Sequence, residues 1–286
     1  MTIQTVGVVG CGQMGSGIAE VVARSGYRVI VREVNDALLE RGQQRIRASL
    51  ERAVKKGKLS QADADAVWER LTFTTTLDEM RACDLVIEAI VENKEAKQEL
   101  FAALDTITPP HAILASNTSS ISITAIAAAT SEARRPRVLG MHFFNPVPVM
   151  PLLELVRGLE TAEETLATAR AFGESLGKTI IVAKDNPGFI VNLLLVPYLL
   201  DAIRWLEYGL ATREDIDTGV KLGLNHPMGP YELSDFIGLD TLLFIADAMY
   251  DEFRDPRYAA PPLLRRMVAA GHLGRKSGRG FYEYQR

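Results

Sequence analysis

The sequence predicts an α/β protein in which a doubly wound, mostly parallel sheet is followed by an all-helical unit. In residues 1–185, short apolar runs alternate with segments of helical periodicity, which is typical of a parallel sheet covered by helices. After Asn186-Pro187-Gly188, no strand pattern is convincing until the last few residues. We therefore expect two domains, residues 1–185 and residues 186–286, the second without a sheet.

The first element is a strand, Val6-Gly7-Val8-Val9, which leads directly into a glycine-rich turn and then a helical pattern. A second apolar strand starts at Arg28, so the segment is a βαβ unit. In such a unit the glycines permit a tight turn, close approach of a pyrophosphate, and packing of helix on strand. The N–H groups of the helix N-terminus bind the phosphates. The pattern predicts a Rossmann-like dinucleotide site, rather than a packing turn, at Gly10, Gly12, Gln13, Met14 and Gly15.

Glu33 closes the second strand, 18 residues after Gly15. A carboxylate at this place accepts hydrogen bonds from ribose hydroxyls and repels a 2′-phosphate. The acid therefore favours NAD over NADP, although the neighbouring Arg32 keeps NADP as an alternative. The other interpretation of Glu33 is a solvated loop acid without a ligand.

The remaining elements are assigned from periodicity and from helix caps such as Ser60. Further strands are predicted near 71–74, 85–88, 112–115, 138–141, 152–156 and 179–182, and helices near 37–56, 59–69, 93–104 and 162–176. Helices in the second domain are predicted at 188–208, 212–222, 231–236, 241–253 and 262–270.

Composition argues against several classes of function. The formal net charge of −4 lacks the basic footprint of a nucleic-acid-binding protein. Two cysteines, Cys11 and Cys83, form no disulfide framework and are expected to be reduced, as in a cytoplasmic enzyme. The most apolar stretch, 189–206, carries charges and a proline, which disfavours a membrane span. No signal peptide and no metal site are expected.

A histidine and a glutamate stand out inside apolar strands. His142 lies at a strand end and Glu154 lies within the next apolar run, 12 residues later. Two strands joined by a loop at 146–151 would bring the two side chains together. A carboxylate on one imidazole nitrogen fixes the tautomer, so His142 is a candidate general base. The alternative is a core histidine satisfied by a backbone carbonyl, with Glu154 at an exposed edge.

Two further polar features remain open to two interpretations. The Ser116–Ser120 segment follows a strand and falls at the carboxyl edge of the sheet, where it either binds substrate or caps the next helix. Asn192 is a single amide in a strongly apolar helix. Its partner is either a substrate carbonyl or a backbone group near Pro197.

Together these segments resemble the 3-hydroxyacyl-CoA dehydrogenase family, and the resemblance spans essentially the whole chain. The segments that carry it are GCGQMGSGIAE, EAIVENKEAK, ASNTSS, GMHFFNPVPVM, NPGFIVN, NHPMGPYEL and GRKSGRGFY. The resemblance implies NAD-dependent interconversion of (S)-3-hydroxyacyl-CoA and 3-oxoacyl-CoA, with short-chain substrates such as 3-hydroxybutyryl-CoA. It also implies a homodimer formed through the helical domain, which closes over the substrate. Fatty-acid breakdown and butyrate metabolism are pathways compatible with such a reaction.

The resemblance also implies roles for individual residues. His142 resembles the general base, Glu154 the carboxylate that orients it, and Ser119 and Asn192 the groups that hold the reacting oxygen. Positions that match the nicotinamide half of the cofactor site are Glu92, Lys97, Ser119 and Asn145, and Lys276 matches a C-terminal cofactor position. Positions that match coenzyme A contacts are Ser49, Lys56 and Ser119.

The chain departs from the family pattern in two places. Pro151 stands where relatives often carry lysine, and Leu193 stands where arginine is common. Both changes bear on substrate preference and domain closure. The alternative enzyme is a related NAD-dependent β-hydroxyacid or gulonate-type dehydrogenase that acts on a free acid, and the non-enzymatic alternative is a structural NAD-binding protein.

Overall fold

A computed structural model describes residues 2–284 and contains one eight-stranded sheet. The strand order is β3-β2-β1-β4-β5-β6-β7-β8. Within these residues every strand pair is parallel except β6 with β7. The strands are β1 (Thr5–Val9), β2 (Arg28–Arg32), β3 (Leu71–Thr74), β4 (Leu85–Glu88), β5 (Ile113–Ser116), β6 (Val138–Phe143), β7 (Leu152–Arg157) and β8 (Thr179–Lys184). The predicted mostly parallel, doubly wound sheet is confirmed.

Helices connect the strands, as the alternation of patterns predicts. Those of the first part of the chain are α1 (Gln13–Arg24), α2 (Asp36–Lys55), α3 (Gln61–Glu69), α4 (Lys94–Ile107), α5 (Ile123–Ala127) and α6 (Glu163–Ser175). The Ser60 hydroxyl accepts the Asp63 N–H at 3.0 Å, which is the predicted cap of α3. A helix after the Ser116–Ser120 segment is predicted only as one of two alternatives and without bounds, because the five residues of α5 are too few to show a helical period.

Apolar residues from both faces of the sheet form the core of the first unit. Ile18 and Val22 of α1 have no exposed surface and pack with β1 and β4 residues such as Val8 and Ile87. This packing fixes α1 behind the glycine turn that precedes it. The buried face of α1 therefore determines where its N-terminus points.

The second unit is helical and has its own core. Its helices are α7 (Val191–Glu207), α8 (Arg213–Gly223), α9 (Pro230–Ile237), α10 (Leu239–Phe253) and α11 (Pro262–Ala269). Leu199, Ile203 and Tyr231 are fully buried in this core, and the Tyr231 hydroxyl donates to the Ala202 carbonyl at 2.7 Å. The predicted all-helical second domain is confirmed, with only isolated bridges near the C-terminus.

Two aspartates fasten the last segment of the chain to this helical unit. Asp235 accepts the backbone N–H groups of Phe281 (2.8 Å) and Tyr282 (2.9 Å). Asp217 accepts the Tyr282 hydroxyl at 2.8 Å and the Tyr231 N–H at 2.9 Å. Because charge-assisted hydrogen bonds are the stronger ones, this network holds residues 274–284 in place.

The two compact units divide between Asn186 and Pro187, one residue after the boundary expected from the sequence. The chain turns sharply there, since Gly188 has φ +81° and Phe189 has φ +50°. Among residues 2–284, no helix has the length and apolar character needed to cross a bilayer.

Candidate active site

Four segments of the first unit meet at the carboxyl edge of the sheet. The register aligns Val9 with Glu88 and Glu88 with Ser116, on the neighbouring strands β1, β4 and β5. Ser116 aligns with Gly140 on β6, so His142 lies just beyond this row. In doubly wound sheets, ligands bind outside this edge. The glycine turn, the 89–93 segment, the 117–120 segment and His142 are therefore brought together.

The glycine turn fits a dinucleotide pyrophosphate. Gly10 has φ +97°, and a Cβ there would lie 2.5 Å from the Ala89 carbonyl oxygen. Gly15 packs against the Gly10 backbone, whereas a Cβ on Gly12 would meet nothing within 4 Å. Helix α1 begins after Gly12 with no side-chain cap, so its first N–H groups face the open side. These are the three distinct tasks that the spacing predicts.

Glu33 is held beside this turn at the end of β2. Its Oε2 accepts the Cys11 N–H at 2.8 Å and its Oε1 accepts the Val34 N–H at 2.8 Å. Burial, together with the nearby Glu33 charge, raises the pKa of the Cys11 thiol to about 12, which keeps it protonated and unreactive. Gln13 is exposed and Met14 is half-buried on α1.

His142 and Glu154 form a buried pair across β6 and β7. The two residues are direct partners in the antiparallel register, so their side chains lie on the same face. His142 Nδ1 and Glu154 Oε2 are 2.7 Å apart, with side chains that are 8% and 0% exposed. Because the carboxylate only accepts, Nδ1 carries the proton and the lone pair belongs to Nε2. The structure thus brings together the two residues that the sequence singled out.

The turn after His142 is anchored from two sides. The Phe143 N–H donates to Asn117 Oδ1 at 2.9 Å, which ties β6 to the segment after β5. Lys178 is buried, and its ammonium donates to the carbonyls of Val147 (2.6 Å) and Met150 (2.7 Å). The exposed Asn145 precedes a cis peptide bond to Pro146 in this turn.

Ser119 is half-buried, and its backbone is held by Glu92. Glu92 Oε1 accepts the N–H groups of Ser119 (3.0 Å) and Ser120 (3.3 Å) and the Thr118 hydroxyl (2.5 Å). Burial acts to raise the pKa of Glu92, but the Lys97 ammonium and these donors outweigh it and hold that pKa below its ordinary value. Glu92 is therefore ionised at neutral pH and organises the Ser119 segment.

One residue outside the predicted site, Glu88, completes this network. Glu88 is fully buried, and its carboxylate accepts Lys97 Nζ and the Ser116 hydroxyl, each at 2.6 Å. Two sequence signals pointed to the cluster: Glu88 ends an apolar strand, as Glu154 interrupts one, and Lys97 shares the apolar stripe of α4 with Leu100 and Leu104. The sequence predicts that Ser116 follows a strand, but it is the last residue of β5.

The residues matched to coenzyme A contacts lie on α2. Ser49 is half-buried and lies beside the carboxyl group of the buried Glu20. Lys56 is exposed and caps the C-terminus of the helix, two turns further along. Lys55 and Lys58 are also exposed, so positive charge gathers at this helix end.

Two predicted site residues belong to the second unit. Asn192 is half-buried in the first turn of α7. Lys276 lies in the C-terminal segment, with its ammonium 2.5 Å from Asp240 Oδ1. Their roles stay predictions. Within residues 2–284, no group of three or more His, Cys, Asp or Glu side chains is arranged to hold a metal ion.

Both units match domains of one family of known proteins. Residues 5–186 match the NAD-binding domain of 3-hydroxyacyl-CoA dehydrogenase, and residues 188–284 match its C-terminal domain. A 3-hydroxybutyryl-CoA dehydrogenase from Mycobacterium tuberculosis is 57% identical over 284 residues, 99% of each chain. The human mitochondrial hydroxyacyl-coenzyme A dehydrogenase is 44% identical over 99% of this chain and 92% of its own length. The crystal structure of (S)-3-hydroxybutyryl-CoA dehydrogenase from Ralstonia eutropha superposes with a TM-score of 0.94 at 48% identity, covering 100% of both chains.

Proposed function

The chain belongs to the 3-hydroxyacyl-CoA dehydrogenase family, and from this membership we propose that it interconverts (S)-3-hydroxybutyryl-CoA and acetoacetyl-CoA. It is an NAD-dependent oxidoreductase. The four-carbon substrate is supported by the names of its bacterial relatives. The observation that carries the proposal is the buried His142–Glu154 pair at the carboxyl edge of the nucleotide-binding sheet.

The reaction requires a base for the 3-hydroxyl proton. Glu154 accepts a hydrogen bond from the Nδ1–H of His142, which orients the imidazole and assigns the lone pair to Nε2. His142 then takes the hydroxyl proton of the substrate, and in the reverse direction it returns the proton to the 3-oxo group. Bound NAD supplies a nicotinamide ring that accepts the hydride from C3.

The oxygen at C3 changes charge during this step and needs hydrogen-bond donors. Ser119 is our candidate, because Glu92 fixes its backbone and Asn117 ties its segment to β6 beside His142. A donor held in place before the reaction stabilises the transition state without reorganisation. Asn192 is a second candidate, on the resemblance alone.

The residues of the glycine turn are proposed to hold NAD. Gly12 leaves room at the N-terminus of α1 for the pyrophosphate. Glu33, anchored by two backbone N–H groups, retains acceptor capacity for ribose hydroxyls. Its negative charge disfavours the 2′-phosphate of NADP. We propose that Ser49 and Lys56 contribute to binding of the coenzyme A phosphates.

The proposed reaction is tested by the oxidation of NADH in the presence of acetoacetyl-CoA, followed at the NADH absorbance band. We expect turnover with acetoacetyl-CoA, weaker turnover with longer 3-oxoacyl-CoA thioesters up to C16, and a preference for NADH over NADPH. Free acetoacetate is the matched substrate control, since it has the same reacting carbonyl and no coenzyme A. Activity on the free acid without activity on any thioester would instead favour the β-hydroxyacid or gulonate-type dehydrogenase.

We also propose that two copies of the chain associate through the helical unit. Several of its large apolar side chains are more than half exposed: Leu194, Trp205, Tyr208, Leu210, Leu222 and Leu224. Exposed apolar surface of this kind marks a protein-protein contact. Light scattering is expected to give about twice the 31.4 kDa chain mass, and a monomer at micromolar concentration would contradict the proposal.

A further inference from the structure

A lysine is buried between two carboxylates at the carboxyl edge of the sheet, next to the candidate active site. Lys97 Nζ lies 2.6 Å from Glu88 Oε1 and 3.2 Å from Glu92 Oε2, and the side chains of Lys97 and Glu88 are 1% and 0% exposed. Removing three charged groups from water is costly, and well-packed apolar side chains commonly stabilise a fold at least as well. The cluster therefore calls for an explanation beyond stability.

The two carboxylates have different tasks. Glu92 is 24% exposed and accepts the donors of Thr118, Ser119 and Ser120. Glu88 has no exposed surface, and each of its contacts is internal: Lys97, the Ile90 N–H at 2.7 Å and the Ser116 hydroxyl. Glu88 itself therefore lies behind the groups that face the site.

Two chains of contacts lead from Glu88 to the Ser119 backbone. The first passes through the Lys97 ammonium to Glu92, which binds the Ser119 N–H. The second passes through the Ser116 hydroxyl, which donates to Glu88 Oε2 and accepts the Thr118 N–H at 3.2 Å. Both chains end on the same short segment after β5. A change at Glu88 is therefore transmitted twice to the segment that presents Ser119.

We propose that Glu88 is a positioning residue for hydride transfer, which fixes the Ser119 segment through Lys97 and through Ser116. The inference rests on the proposed function, because it takes Ser119 as the donor to the reacting oxygen. Without the Glu88 charge, Lys97 is drawn to Glu92 alone and competes with the Thr118–Ser120 donors for that carboxylate. The Ser119 hydroxyl then moves relative to His142. A small displacement of a group that takes part in the reaction lowers the rate constant markedly.

The proposal is tested with the variant Glu88→Gln, in which the side chain keeps the size and shape of glutamate but loses its negative charge. We expect kcat for acetoacetyl-CoA to fall about tenfold, a loss that displacement of a reacting group readily causes, with the Kd for NADH nearly unchanged. Asp105→Asn is the matched control: it weakens the Asp105–Arg134 pair at the other end of α4, where Arg134 is 4% exposed. This control is expected to lower Tm without lowering kcat.

A double-mutant cycle with Ser119→Ala decides whether Glu88 acts through Ser119. We expect Glu88→Gln to have little further effect on kcat once Ser119 is alanine, since coupled residues are not additive. Independent, additive losses, or a Glu88→Gln enzyme with reduced Tm and wild-type kcat, would overturn the proposal. If Glu88→Gln does not fold, Ser116→Ala takes its place in the same cycle, because it cuts the second chain of contacts without removing a charge.

Failure of the proposed function gives a different result. An enzyme inactive on acetoacetyl-CoA but active on a free 3-oxo acid with NADH contradicts the assigned substrate. The same cycle measured on that acid still decides whether Glu88 positions Ser119.

Discussion

Replacing His142 with glutamine is expected to lower kcat by about 10²- to 10⁴-fold, the contribution typical of a general base. Glutamine fills similar space and still accepts or donates one hydrogen bond, but it cannot take a proton at neutral pH. Because His142 lies on β6 and the pyrophosphate turn follows β1, NADH affinity should change little. The two measurements are steady-state turnover with acetoacetyl-CoA and NADH titration by fluorescence.

His111→Gln is the control for this variant. His111 precedes β5 at the opposite edge of the sheet, and its side chain is 53% exposed. The same substitution there should leave both kcat and NADH affinity near wild-type values. A His142→Gln enzyme that loses NADH affinity as much as kcat would mean that His142 belongs to the cofactor site and that its assignment as the base is wrong.

Glu154→Gln is expected to have the second largest effect, a loss of about 10²-fold in kcat, since hydrogen bonds to charged groups are worth about 1.5–3 kcal/mol. The amide nitrogen of glutamine can donate to Nδ1, which would place the imidazole proton on Nε2 and remove the acceptor that the reaction needs. The substitution preserves volume at a side chain with no exposed surface. The fold should therefore persist, as thermal unfolding would show.

The decisive measurement is the double variant. If Glu154 acts only by orienting His142, then Glu154→Gln should cost almost nothing in an enzyme that already carries His142→Gln. A full additional loss in the double variant would show that Glu154 has a task of its own, such as holding β7 against β6. In that case a reduced Tm should accompany the loss.

Local pattern was sufficient for most elements of the fold. The strand at Leu85–Glu88 and the helix over Asp36–Lys55 were located within about two residues, because periodicity reports which face a short segment buries. Helix α5 was missed for the opposite reason. It is five residues long, and its first N–H groups bond Asp185, 61 and 62 positions away. Five residues are too few for periodicity to show a buried face, and the local signal that remains is Ser122, whose hydroxyl accepts the Ala125 N–H at 3.2 Å.

The residues of the candidate site also fall into those that local pattern predicts and those that it does not. His142 and Glu154 were identified as polar residues that interrupt apolar strands, and a pair was the natural hypothesis. Glu88 carries the same signal, but the sequence does not predict its partner, because Lys97 lies on a helix and belongs to the amphipathic pattern of that helix. The donor that each buried carboxylate contacts depends on the pairing register of the strands and on the path of the helices that connect them.

The sequence by itself determined the type and order of the elements, the glycine turn of the cofactor site and the residue types available for proton transfer, since all of these follow from neighbours along the chain. Only the tertiary structure decided that His142 faces Glu154 across β6 and β7 and that Glu88 reaches the Ser119 segment through Lys97. The physical reason is that buried charges are tolerated only where distant segments supply their partners. Those partners are set by packing of the whole unit.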